Sequence, residues 1–128
     1  MSISMHNEIE KGLANLQIPH KAFINGEFVD ALSGETFSSV NPATGEVLAN
    51  VARCNQADVD IAVASARRAH NSGVWSVLAP AERKQILLTW ADLIEQHTTD
   101  IALLDALEAG KPVAECIATD LPEALSAI

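Results

Sequence analysis

Basic side chains are scarce in this sequence. Only 8 Lys and Arg stand against 17 Asp and Glu, giving a formal net charge of -9 over 128 residues. Phosphate backbones and anionic membrane surfaces are recognised by clustered cations, so neither nucleic acid nor a membrane is an expected partner. The adjacent pairs Arg67-Arg68 and Arg83-Lys84 fall on predicted helix surfaces and read as solvated faces. Cysteine is scarce too. Cys54 and Cys116 are too few, and too far apart in sequence, for a disulfide framework or a zinc site. Neither has a histidine or a glycine-rich turn beside it to favour a thiolate, so both read as small buried residues. His6, His20, His70 and His97 are scattered and form no ligand pattern. No apolar run approaches the ~20 residues of a membrane helix. The first twenty residues lack the continuous apolar stretch of a signal peptide. A cytoplasmic location is the resulting expectation.

The glycines also exclude something. No Gly-x-Gly-x-x-Gly occurs, so these residues hold no dinucleotide fingerprint. Gly110-Lys111 is not a phosphate loop, because Asp105 stands where the first glycine is needed and Pro112 replaces the hydroxyl residue. It reads instead as a helix end with a cation near its negative pole.

What is present is a sequence that can fold. A hydrophobic fraction of 48% with 20% charged residues belongs to a globular domain with a core. Residues 1–20 read as a leader with a short amphipathic helix on Ile9, Leu13 and Leu16, limited by Gly12 and Pro19. Residues 22–52 read as an antiparallel meander of short strands. Asn25-Gly26 supplies the first hairpin turn, Ser33-Gly34 a second, and Asn41-Pro42-Ala43-Thr44-Gly45-Glu46 a third.

Helical spacing follows. Asn55 and Asp58 form a candidate capping box for a helix with Val59, Ala62, Val63, Ala66 and Ala69 inward, closed by Gly73. Asp58 and Asp60 read as exposed. Trp75 is expected to anchor the next connection. A second helix from Pro80 turns Ile86, Leu87, Trp90, Leu93 and Ile94 inward. A third, capped by Thr98 or Thr99, carries Ile101, Leu103, Leu104 and Leu107, with Gly110 just past its end. The last runs from about Val113 with Ile117, Leu121, Ala124, Leu125 and Ile128 on one face, and Pro122 must kink or restart it behind an Asp120 cap. This stripe is still in phase at Ile128, so we expect a helix cut short there. Asp105 and Glu108 are three apart on the third helix and read as a shared solvated face.

Three segments resemble the opening of an NAD(P)-dependent aldehyde dehydrogenase: Phe23-Ile24-Asn25-Gly26-Glu27-Phe28, Asn41-Pro42-Ala43-Thr44-Gly45-Glu46-Val47, and Glu108-Ala109-Gly110-Lys111-Pro112. Between them, Asp58-Val59-Asp60, Ala62-Val63, Ala66-Arg67, Trp75, Arg83, Leu88 and Ala91-Asp92-Leu93-Ile94-Glu95 extend the similarity in the family's order. Thr119-Asp120-Leu121-Pro122 is similar to a bacterial subgroup acting on γ-glutamyl-γ-aminobutyraldehyde.

The resemblance implies an α/β parent enzyme with a Rossmann-like cofactor domain, a catalytic domain and an oligomerisation arm. Residues 21–128 would be the N-terminal part of the cofactor-binding domain, stopping before the dinucleotide site. The parent would use NAD or NADP to oxidise an aldehyde to a carboxylic acid by way of a cysteine nucleophile, an oxyanion asparagine and a glutamate base. All of these lie C-terminal to this stretch in the family, and neither Cys54 nor Cys116 matches the nucleophile's motif. The chain alone is therefore expected to bind no dinucleotide and to be inactive. Its expected partners are the remainder of its own subunit, an aldehyde in the parent, and further copies in a homo-oligomer. The rival expectation is a non-enzymatic helical interaction module, or a truncated remnant pairing with a full-length subunit. One family site maps onto the chain. A structural monovalent cation would take the Glu108 carboxylate and a backbone carbonyl of Ser39 or Val40, with Glu replacing the family's more usual Asp.

Overall fold

Asn25 and Gly26 take positive φ values of 57° and 81°, the pair of left-handed conformations that a tight hairpin turn requires. They join β1 (Ala22–Ile24) to β2 (Glu27–Val29). In this antiparallel pair Ala22 faces Val29 and Phe23 faces Phe28. This is a computed structural model, and it describes residues 3–128. Met1 and Ser2 of the expected leader lie outside the described residues.

β3 (Thr36–Val40) and β4 (Val47–Ala52) pair in a second sheet. Backbone hydrogen bonds from Asn41 N–H to Glu46 O at one end and Arg53 N–H to Glu35 O at the other bracket an antiparallel hairpin. The strands are thus two separate two-stranded sheets, which corrects the expected meander. The reason is local: each pair closes on its own turn, and the stretch between β2 and β3 is spent on a turn at Ala31–Gly34, where Gly34 N–H reaches Ala31 O at 2.8 Å.

The helices are α1 (Ile3–Asn15), α2 (Gln56–Ser72), α3 (Pro80–Gln96), α4 (Thr98–Ala109), α5 (Val113–Glu115) and α6 (Leu121–Ser126), with a π turn at Cys116–Asp120. The chain divides into two units, residues 1–18, 40–48 and 85–128 in one, and 19–39 and 49–84 in the other.

The second of these units joins hairpin to helix through polar contacts. The Asn55 side chain accepts from Ala57 N–H at 2.9 Å, while Asp58 accepts from Asn55 N–H at 2.9 Å, so the expected capping box forms. Asp58 also accepts from Leu32 N–H at 2.8 Å and is buried, contrary to the expectation of exposure. Its three backbone donors, led by Asn55, hold the carboxyl below the usual carboxylate range. Farther along α2, Ser65 Oγ lies 2.9 Å from Asn25 Oδ1 at the hairpin turn. The inward residues are therefore Asp58, Ala62 and Ser65, and Val59 and Val63 are exposed. Trp75 is 43% exposed, so its indole is only partly covered. Cys54 is exposed as well, which corrects its assignment as a buried residue.

The core of the other unit forms around α4. Ala102, Cys116 and Leu121 are buried together, with Ile94, Ile101, Ala106 and Ile117 packed against them. Leu103 is 1% exposed and lies under α1. There Gly12 does not limit the helix but lets it approach, since a Cβ on Gly12 would sit 2.6 Å from Leu103 Cδ1. Neither Thr98 nor Thr99 caps α4. His97 holds the cap position without a side-chain capping hydrogen bond, and the Thr98 hydroxyl donates backward to Glu95 O at 2.8 Å. On α3, Leu87 and Ile94 are half-buried, but Ile86, Trp90 and Leu93 are exposed, so only part of the expected stripe is covered.

Pro122 explains the π turn. Its ring would clash with the carbonyl four residues back in a regular helix. The wider turn, closed by Leu121 N–H to Cys116 O, relieves this without ending the helix. Asp120 is helical and makes no capping bond, so it is not the expected N-cap. α6 closes at Ser126, short of Ile128.

Candidate functional site

The end of α4 gathers most of the chemistry. Gly110 terminates the helix with φ 73° and returns its N–H to Ala106 O at 3.0 Å. A side chain there would be strained by φ and would also meet Pro42, whose Cγ lies 2.9 Å from the position of a Gly110 Cβ. The Asn-Pro turn and the helix end are therefore in direct contact. The turn is itself well closed: Asn41 Oδ1 accepts from Ala43 N–H at 2.9 Å, and Asn41 O accepts from Gly45 N–H at 2.8 Å. An apolar groove of about 250 Å³ lies alongside, lined in part by Leu13, Ala43, Leu103, Leu107 and Val113.

Glu108 is exposed on the last turn of α4. Val40, at the end of β3, is in the same unit and is 45% exposed, whereas Ser39 is half-buried and is the last residue of its segment in the other unit.

Asp105 does not share a solvated face with Glu108. It is half-buried and meets Cys116 and Asp120, one ligand atom from each lying within 4.8 Å of the others. The Lys111 ammonium pairs with Asp120. That pairing holds the Asp120 carboxyl below its ordinary range and raises Lys111 above its own. Burial, then the hydrogen bond with Asp105, pushes the Cys116 thiol up, the opposite of what a nucleophilic thiolate needs. The arrangement ties α4, the Lys111 turn and the π turn together. Sequence reasoning missed this cluster. Its one signal was Pro122, since a widened turn brings Cys116 and Asp120 to the same side.

The chain matches the model of the aldehyde dehydrogenase family over residues 28–128, and it belongs to that family. Aminoacetaldehyde dehydrogenase of Pseudomonas aeruginosa is 52% identical over 115 residues, which is 90% of this chain and 23% of that protein. The γ-glutamyl-γ-aminobutyraldehyde dehydrogenase of Burkholderia cenocepacia J2315 superposes with a TM-score of 0.89 at 45% identity, covering 94% of this chain and 24% of its own. An indole-3-acetaldehyde dehydrogenase solved in complex with NAD+ does so with a TM-score of 0.88 at 43% identity, over 94% of this chain and 24% of its own. The chain thus spans about a quarter of the length of the relatives it matches, and it shares the α/β fold of these enzymes over that part.

Proposed function

We propose that this chain serves as the N-terminal part of an aldehyde dehydrogenase that oxidises an aldehyde to a carboxylic acid with NAD or NADP. Residues 1–20 form a leader and 21–128 the first part of the cofactor-binding domain. The observation that carries this reading is the 52% identity to aminoacetaldehyde dehydrogenase across 90% of the chain. The names of that relative and of the γ-glutamyl-γ-aminobutyraldehyde enzyme make aminoaldehydes the first substrates to test. A cytoplasmic, homo-oligomeric parent completes the reading.

The residues present do not fit a dinucleotide. They hold no glycine-rich fingerprint, and no step of hydride transfer can be assigned to them. Nor does either thiol suit the nucleophile's role: Cys54 lies outside the family's motif and Cys116 is buried with its thiol pushed up. The part these residues play is architectural. Purified alone, the 128-residue chain should form no NADH from aminoacetaldehyde or propanal, whereas a complete polypeptide carrying this sequence should. Turnover that scales with the isolated chain, free of any longer enzyme, would overturn the assignment of catalysis to residues outside it.

We further propose that Glu108, with the carbonyl of Ser39 or Val40, holds a monovalent cation in the complete enzyme. Glu108 stands in the last turn of α4, at the helix's negative pole, where a cation is the favoured neighbour, and K⁺ or Na⁺ is the cation proposed. The complete enzyme should melt at a higher temperature in potassium or sodium than in a bulky organic cation, and Glu108→Gln should abolish the difference. Equal melting temperatures in all three salts would leave Glu108 as an ordinary helix-end carboxylate.

A second reading, pairing with a longer subunit without catalysis, draws support from the exposed Ile86, Trp90 and Leu93 on α3. Co-purification with a complete aldehyde dehydrogenase chain, lost on Trp90→Glu, would favour it.

A further inference from the structure

We draw no further inference here: the strongest candidate, the Asp105–Cys116–Asp120 cluster where α4 meets the π turn, is an acidic cluster already paired with the Lys111 ammonium, and no second observation points to a ligand in it.

Discussion

Two cysteines in one chain meet opposite surroundings. Cys54 follows β4 in an exposed connection, while Cys116 has no exposed surface and packs with Ala102 and Leu121. Burial and the Asp105 hydrogen bond both favour the Cys116 thiol over its thiolate. A thiol reagent should therefore titrate one group per chain in the native state and two in denaturant. Cys54→Ser should remove the fast group, and Cys116→Ser should not. Two fast groups in the native chain would mean that the core around α4 opens readily. The sequence left this difference hidden. Neither cysteine has a distinguishing neighbour in the chain, and only the contact with α4 separates them.

Among the elements, short-range chemistry was the most legible. The Asn25-Gly26 turn, the Asn55–Asp58 box and the Gly110 stop each depend on backbone geometry within a few residues, and each formed as read. The faces of α2 and α3 were less legible, because periodicity records which residues are apolar and not which ones find cover. The family motifs around Asn41 and Gly110 were plain in the sequence, but the junction of Lys111, Asp105 and Asp120 was not. It depends on contacts across a helix end. That junction has a definite pH signature. Asp120, lowered, contributes stability above its ordinary 3.8 that is lost as pH falls through the lowered value. Lys111, raised, contributes stability below its ordinary 10.5 that is lost as pH climbs through the raised value. The melting-temperature difference between the parent chain and Asp120→Asn should thus form a plateau between these limits and narrow outside them. A flat difference down to the lowest pH at which the chain folds would show that the ion pair does not hold the π turn.

For the chain as a whole, the exposed apolar residues weigh most. Val77 is 80% exposed, Val74 68%, Phe23 64% and Phe28 61%, beside Trp90 at 54%. The two phenylalanine rings meet in a tilted pair, with ring centroids 5.0 Å apart. On α3, exposed Ile86, Trp90 and Leu93 line one shallow apolar groove, and contiguous apolar surface of this kind marks faces that other protein covers. The isolated chain should accordingly self-associate or bind a hydrophobic dye, measured by light scattering and dye fluorescence. A monodisperse monomer that binds no dye and unfolds cooperatively would contradict this. The π turn has a consequence of another kind, for comparison between sequences. It is in effect one residue added to a helix, absorbed with no loop to betray it. A relative with an unbroken α-helix at this place would be one residue shorter between Cys116 and Leu121. The widened turn absorbs the extra residue, so everything downstream would face the same way in both chains with its numbering offset by one. Successive helical positions differ by about 100° about the axis. An alignment drawn through this segment without a gap would pair Leu121 with a residue facing elsewhere, although the letters on either side still agreed.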